Sequence, residues 1–249
     1  MHRGQEIAVV VPAYREAERI GRVLARIPAV VDSVFVVDDG SDDATAALAA
    51  AHPDHRVRVH RHQLNRGVGA AIATGYRLAF ESGADVAVVM AGDDQMDPQD
   101  LLALLTPICE EGVAYAKGNR LAWPGARQRM PLLRFVGNHV LSWLTRLATG
   151  LRVHDSQCGY TALSARAAHA VNLDRLWPRY GYPNDLLGAL AARSLEVRDV
   201  PVRPVYAGEA SGIGWRHALL VIPFVLARVI GRRLSPRPSA ARPATHASE

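Results

Sequence analysis

Asp93 and Gln95 carry oxygen atoms that suit a hard cation. They stand two positions apart, directly after the apolar run 86–90, so a loop at a strand end can turn both toward one ion. Carboxylate and amide oxygens are ligands that Mg²⁺ and Mn²⁺ accept in proteins. The spacing therefore predicts a metal site at these two residues.

A second set of polar residues follows the first two apolar runs. Glu16 and Asp39 can accept hydrogen bonds from ribose hydroxyls or base N–H groups, and the ring of Tyr14 can pack on a base. The alternatives are a helix start after Pro12 and a tight turn with Asp42 as helix N-cap. The paired carboxylates at the second strand end favour ligand binding over the turn.

Charge is distributed unevenly along the chain. Residues 1–111 carry 10 basic and 17 acidic side chains, residues 112–154 carry 7 basic and none acidic, and residues 214–249 carry 6 basic and one acidic. Arg120 and Arg134 lie in the acid-free block, and guanidinium groups bind phosphate oxygens through paired hydrogen bonds. The pattern favours a cation site in the first half and an anionic partner, phosphate or a lipid surface, beyond it; solvated charged faces are the alternative.

The elements that must position these residues alternate in type. The 249 residues, 49% of them hydrophobic, suffice for one large domain, and two cysteines exclude a disulfide scaffold. Short Val- and Ile-rich runs predict strands at 7–11, 34–37, 57–59 and 86–90, and helical patterns predict helices at 16–27, 42–51 and 68–80. This order predicts an α/β fold with a mostly parallel sheet flanked by helices, in which ligands bind at the carboxyl ends of the strands.

The second half continues the pattern with one long helix. We predict strands at 113–116, 158–163 and 195–202, a loop at 118–130, and helices at 131–149 and 184–193. In the helix 131–149, apolar residues recur every three or four positions.

The last 36 residues differ from the rest. Only ten residues, 218–227, form an apolar run before Arg228, and about 20 are needed to cross a bilayer. An amphipathic helix in the membrane interface and a final helix packed on the domain are both compatible with this pattern. We expect a domain over 1–213, this helix over 214–234 and a disordered tail over 235–249.

Four motifs occur in order at the predicted strand ends: Val9–Glu16, Val36–Asp43, Asn65–Ala71 and Val88–Pro98. Together they resemble the family 2 glycosyltransferases of GT-A (Rossmann-like) fold, and within them the polyprenyl-phosphate and dolichol-phosphate sugar transferases. The resemblance implies a nucleoside diphosphate sugar as donor, Mg²⁺ or Mn²⁺ as cofactor and a polyprenyl phosphate as acceptor.

The resemblance also implies roles for individual residues. Asp93 and Gln95 match metal ligands, which gives Asp93 a catalytic part, and Arg120 and Arg134 match arginines that contact the acceptor phosphate. The nucleotide-binding positions are Pro12, Tyr14, Glu16, Asp39, Asn65 and Gly67. A dinucleotide-binding interpretation of the last motif fails, since its third glycine is replaced by Ile72.

The chain departs from the family pattern at three places. Ala91 stands where the first acid of the Asp-x-Asp element is usual, a loss for which Asp94 could compensate. In the element 155–160, Cys158 replaces a serine and is expected to be a small buried residue rather than a nucleophile. Glu209 stands where an arginine facing phosphate is usual.

The acceptor determines the mechanism. A phosphate acceptor needs no strong base for inverting transfer, because it is largely dianionic near neutral pH. A hydroxyl acceptor would need one, and Asp185 is then the first candidate and Asp155 the second, although either could cap a helix.

Three functions are consistent with the sequence. We prefer an inverting, metal-dependent hexosyltransferase acting on polyprenyl phosphate at the cytosolic membrane face. The alternatives are a family 2 enzyme with a soluble hydroxyl acceptor and an inactive nucleotide-sugar-binding protein, which Ala91 suggests. The N-terminus has no signal-peptide pattern and no nucleic-acid-binding motif occurs, so we expect a cytoplasmic protein, peripheral on the membrane if the last helix binds it, with no nucleic-acid partner.

Overall fold

The computed structural model describes residues 1–205 and 222–234 and contains one seven-stranded sheet. The strands are β1 (Ile7–Ala13), β2 (Ser33–Asp38), β3 (Val57–Arg61), β4 (Val86–Val89), β5 (Tyr115–Asn119), β6 (Thr161–Ser164) and β7 (Val197–Pro201). The helices are α1 (Ile20–Ala25), α2 (Thr45–Ala50), α3 (Val68–Glu81), α4 (Leu101–Glu111), α5 (Ala126–Arg129), α6 (Leu132–Thr149), α7 (Ala165–Ala170), α8 (Tyr182–Ala192) and α9 (Ile222–Leu234).

The sheet has the order β3-β2-β1-β4-β6-β5-β7 and is mostly parallel, which confirms the predicted architecture. Only β6 runs against its neighbours, pairing antiparallel with both β4 and β5. The chain therefore enters β6 at the edge where the parallel strands end. Five connecting segments meet at that edge: those that follow β1, β4, β5 and β7, and the one that precedes β6.

Both faces of the sheet are covered. Alternate residues of β1 face opposite sides: Val9 and Val11 belong to a core under α1 and α4, and Ala8 and Val10 belong to a core under α3 and α8. Helix α3 approaches β1 closely at Gly75, where a Cβ would lie 2.1 Å from Val10 Cγ1. No helix among residues 1–205 and 222–234 is long and apolar enough to cross a membrane.

The first two helices are shorter than predicted because tertiary contacts hold the residues before them. Arg15 adopts a left-handed φ of 58°, and the backbone N–H of Glu16 donates to Thr45 Oγ1 at 2.8 Å. Helix α1 therefore begins at Ile20 rather than at residue 16. The alternative of an N-cap at Asp42 is not realised, because Asp42 pairs with Arg15 at 2.7 Å and the carboxylate of Asp43 accepts from the Thr45 N–H.

Helix α6 confirms the predicted helix at 131–149. Unlike an ordinary surface helix, it turns its small and polar side toward the protein and its apolar side toward solvent. Its buried residues are small or polar, Ser142, Thr145, Ala148 and Thr149. Six of its large apolar residues are exposed, and Trp143 is half exposed. The predicted loop at 118–130 contains the short helix α5 and the end of β5.

Helix α9 packs on the domain through Val225 and Val229, which are buried. Its closest packing is at Gly188 of α8, where a Cβ would lie 3.0 Å from Val229 Cγ1. This face of α9 therefore agrees with the alternative of a final helix packed on the domain. The predicted boundary at 213, Glu209 and the tail 235–249 lie outside the described residues.

Candidate active site

A cavity of about 440 Å³ opens at the edge of the sheet where the parallel strands end. One part of its wall carries acidic and amide side chains, and another carries arginines. The cavity brings together six of the predicted site residues: Pro12, Glu16, Asp93, Gln95, Arg120 and Arg134.

Asp93 and Gln95 lie on the tight turn after β4. The backbone N–H of Gln95 donates to Asp93 Oδ1 at 3.1 Å, and the residue between them, Asp94, has a left-handed φ of 61°. This turn sends both flanking side chains to the cavity wall, beside Ala91. The carboxylate expected at position 91 is absent from the wall.

Asp94 does not compensate for Ala91. Its carboxylate points away from the cavity and pairs with Arg26 of the α1 C-terminus at 2.8 Å and with Arg22 at 3.7 Å. The suggestion that Asp94 supplies the missing ligand is therefore wrong in this structure. Among the described residues, no group of three acidic, histidine or cysteine side chains surrounds a common point.

The donor set at this turn still fits a divalent ion that arrives with a diphosphate. Mg²⁺ is usually held by one or two carboxylates together with substrate phosphates and water, rather than by a complete protein cage. Asp93 offers one carboxylate and Gln95 one amide oxygen, both hard ligands on the same wall. This pair suits an ion that binds together with the nucleotide, because two protein ligands alone would hold a free ion weakly.

Asp39 is buried beneath a neighbouring loop instead of lining the cavity. Its Oδ1 lies 2.8 Å from His62 Nδ1 and accepts from the Arg66 N–H, and its Oδ2 accepts from the Gly67 N–H at 2.7 Å. Because a carboxylate only accepts in these contacts, Nδ1 of His62 carries a proton and donates it to Asp39, and Nε2 lies 3.1 Å from the Thr74 hydroxyl. Asp39 thereby fixes the chain that leads into α3.

Three more predicted nucleotide-binding residues also lie outside the cavity wall. Gly67 has φ 98° and packs so closely on the 177–178 segment that a Cβ would lie 2.5 Å from Pro178 O. Asn65 lies on the exposed loop before it, and Tyr14 is 39% exposed beside Arg15. Their nucleotide contacts stay predictions.

Arg120 reaches the cavity from the end of β5 and is held by Asp155. Its Nε and backbone N–H donate to Asp155 Oδ2 at 2.8 and 3.1 Å, and a terminal nitrogen donates to Oδ1 at 3.1 Å. Burial alone would raise the pKa of Asp155, but the charge and hydrogen bonds of Arg120 outweigh it and hold that pKa below its ordinary value. Asp155 therefore orients Arg120 and is not placed to take a proton from an acceptor.

Lys117, on β5 behind this pair, is fully buried and donates to the carbonyl of Cys158. Burial lowers the pKa of its ammonium group. Cys158 is buried as predicted, and burial raises the pKa of its thiol, which keeps it from acting as a thiolate.

The other basic side chains of the wall come from separate elements. Arg134 and Asn138 lie one turn apart on α6 and both line the cavity. Arg203, after β7, donates to Asp97 Oδ2 at 2.6 Å and lies over the ring of Trp123. Sequence reasoning missed Arg203, although its place after a strand end was a usable signal.

Asp185 is also drawn into ion pairs and does not line the cavity. Its Oδ1 accepts from Arg228 and Arg232 of α9 at 2.9 and 2.8 Å, and its Oδ2 accepts from Arg232 and from the Trp177 N–H. The residue is fully buried. These contacts favour an anchor between α8 and α9 over the predicted general base.

Comparison with known proteins defines the class of this chain. The family model for glycosyl transferase family 2 matches residues 8–170, and the chain belongs to that family. It is 31% identical over 215 residues to the UDP-N-acetylglucosamine–dolichyl-phosphate N-acetylglucosaminyltransferase of Methanococcus voltae, covering 80% of this chain and 86% of the relative. It is 29% identical over 229 residues to the polyprenol monophosphomannose synthase of Mycolicibacterium smegmatis, covering 88% and 86%.

Solved structures extend the likeness to the fold. The glucosyl-3-phosphoglycerate synthase of Mycobacterium tuberculosis, in complex with Mn²⁺, UDP and glucosyl-3-phosphoglycerate, matches with a TM-score of 0.68 at 23% identity, covering 94% of this chain and 82% of that chain. The fold is the GT-A α/β fold, as the motifs implied.

Proposed function

We propose that this chain is an inverting hexosyltransferase that moves a sugar from a nucleoside diphosphate to a polyprenyl phosphate at the cytosolic face of a membrane. The observation that carries the proposal is the single cavity that holds Asp93 and Gln95 on one part of its wall and Arg120 and Arg134 on another. A donor diphosphate with its cation and an acceptor phosphate can therefore meet in one space. Relatives named for transfer to dolichyl phosphate and polyprenol phosphate support this acceptor.

On the donor side, Asp93 and Gln95 would hold Mg²⁺ or Mn²⁺ against the diphosphate. The bound ion would supply charge neutralisation for the departing nucleoside diphosphate. Glu16 and Pro12 line the same wall and would contact the nucleotide.

On the acceptor side, Arg120 and Arg134 would grip the phosphate oxygens and orient one of them toward the anomeric carbon. A phosphate monoester near neutral pH is already largely deprotonated, so the attacking oxygen needs no general base. The engagement of Asp155 and Asp185 by arginines is compatible with such a reaction.

Product formation tests the proposal. The purified chain is incubated with radiolabelled UDP- and GDP-sugars, Mg²⁺ or Mn²⁺ and a polyprenyl phosphate, and label is measured in the organic extract. Asp93→Asn keeps the size of the side chain and removes its charge, so we expect a loss of about a hundredfold or more. Asp94→Asn is the matched control and should retain activity, because Asp94 faces α1.

A small soluble phosphate ester is the second candidate acceptor. The structural neighbour is named for a reaction on 3-phosphoglycerate, and the arginines at this wall suit either phosphate. Transfer of label from the nucleotide to such an acceptor, with none in the organic extract, would replace the polyprenyl assignment. Metal-independent nucleotide binding with no product from any donor would leave the inactive binding protein and overturn the transferase.

A further inference from the structure

Helix α6 exposes a continuous apolar face to solvent. Six large side chains are at least half exposed: Leu132 at 55%, Leu133 at 86%, Val136 at 50%, Val140 at 51%, Trp143 at 52% and Leu147 at 60%. Their spacing of three and four residues places them on one side of the helix. Exposed apolar patches of this extent mark interaction surfaces on soluble domains.

The opposite side of α6 is the polar one, and it faces the protein. Ser142 and Thr145 are buried there; the Ser142 hydroxyl accepts from the Ser156 N–H at 2.9 Å, and the Thr145 hydroxyl lies 3.4 Å from Asn184 Oδ1. One and two turns earlier on the same side, Asn138 and Arg134 reach the cavity. The polar side of α6 therefore faces the protein and the apolar side faces away from it. The apolar face lies on the side of the helix opposite to Arg134 and Asn138, which line the cavity.

Exposed basic side chains precede and follow α6 in the sequence. Arg127 and Arg129 before the helix and Arg152 after it are exposed, and residues 112–154 contain no acidic side chain. A twofold dimer through this face would place two positively charged copies of the same region against each other, since such an interface joins one patch to itself. An anionic lipid surface accepts both the apolar side chains and the arginines.

We propose that α6 lies in the interface of an anionic membrane, with the apolar face from Leu132 to Leu147 among the acyl chains and the arginines before and after the helix at the headgroups. The second part of the proposal, that this brings the phosphate of a membrane-held acceptor level with Arg134, rests on the proposed function. The membrane contact itself does not. It moves the main membrane contact from the expected 214–234 segment to α6.

Vesicle flotation tests the contact with the full chain. Trp143→Glu combined with Leu147→Glu places two charges on the apolar face. Leu48→Glu combined with Leu102→Glu is the matched control, because these leucines are 46% and 48% exposed on α2 and α4. Vesicles are phosphatidylcholine alone or with about 30 mol% phosphatidylglycerol.

We expect the wild type and the control to float with the anionic vesicles and the α6 variant to bind at least about tenfold more weakly. Equal flotation of both variants, or no flotation of the wild type, would overturn the proposal. A wild-type dimer that the α6 variant converts to a monomer, without vesicle binding, would assign the face to a second copy instead.

A further measurement separates this result from the transferase assignment. Sugar transfer to a short-chain, water-soluble acceptor phosphate should be equal in the wild type and the α6 variant, whereas transfer to acceptor in vesicles should fall with flotation. If transfer to the soluble acceptor is absent in both while flotation behaves as expected, the membrane contact stands and the proposed function fails.

Discussion

Arg120 and Arg134 reach the same cavity from different elements, β5 and α6. Arg120 is fixed by three hydrogen bonds to a buried carboxylate, whereas Arg134 extends from a helix. Removing Arg120 would take from the buried Asp155 the one side chain that it pairs with at hydrogen-bond distance in the described residues. A change at Arg134 therefore reports on the acceptor more directly than a change at Arg120.

We predict that Arg134→Ala raises the KM for the acceptor phosphate by about tenfold or more, the value of a lost charged hydrogen bond. The melting temperature should stay near that of the wild type. Arg120→Ala should lower the activity. It should also lower the free energy of unfolding by about 3–5 kcal/mol, and with it the melting temperature.

Steady-state kinetics with varied acceptor, together with thermal unfolding, check this prediction. Arg193→Ala is a suitable control, since Arg193 is exposed at the end of α8 and does not line the cavity. An unchanged acceptor KM in Arg134→Ala would remove Arg134 from the acceptor site.

At single positions, sequence reasoning correctly placed residues of the segments after β4 and β5 at the cavity. Asp93, Gln95 and Arg120 lie at the cavity because the ends of parallel strands meet at one edge. It failed where a distant partner captures a side chain. Asp39 contacts His62 and Asp185 pairs with Arg228, and neither partner can be predicted from the sequence around the aspartate.

Among the elements, α8 and α9 are joined by one buried carboxylate. Asp185 binds two arginines of α9 and the backbone of Trp177, and the segment from Trp177 leads to Tyr180, Gly181 and Tyr182 at the cavity wall. Helix α9 therefore supports the wall from behind.

We predict that Asp185→Asn and the double variant Arg228→Gln with Arg232→Gln lower the melting temperature to a similar extent. Combining all three changes should add little, because each breaks the same buried ion pairs. Thermal unfolding of the cycle measures this coupling.

A general base at Asp185 would give a different outcome. Asp185→Asn would then abolish turnover and change its pH profile at an unchanged melting temperature, and the arginine variant would stay active. That result would restore the sequence-based assignment.

The helices also show the limit of periodicity. The spacing of apolar residues in 131–149 predicts a helix with one apolar face, and the structure confirms the helix. Periodicity identifies a face but not its partner, so the same pattern is compatible with burial and with exposure. Polar partners at Ser156 and Asn184, distant in sequence, turn the small side of α6 inward.

Over the whole molecule, the uneven distribution of charge along the chain places acidic and basic side chains on different parts of one cavity wall. The acidic half supplies Glu16 and Asp93 to the cavity, and the later elements supply Arg120, Arg134 and Arg203. Composition alone indicated both signs, but the meeting of the two required the reversal of β6, which no single segment of sequence specifies.

We predict that metal removal leaves the folding of the free protein unchanged. Two apolar cores cover the two faces of the sheet, and Asp93 and Gln95 belong to neither core. With UDP or GDP and Mn²⁺, binding should add about 2–3 kcal/mol at a ligand concentration of 100 times Kd, and a chelator should remove that gain.

Differential scanning calorimetry with and without nucleotide and chelator measures both effects. A lower melting temperature on chelation without nucleotide would mean that the ion is structural, contrary to this account.

Lys117 has a practical consequence for such measurements. It is the only lysine in the sequence, and it is buried inside the sheet, so every basic side chain other than the ten histidines and Lys117 itself is an arginine. Reagents that acylate lysine side chains should therefore find no exposed lysine on the folded chain. A lysine introduced far from α6 would then be the one exposed lysine, and a fluorophore attached to it could report transfer between water and vesicles without altering the surface under test.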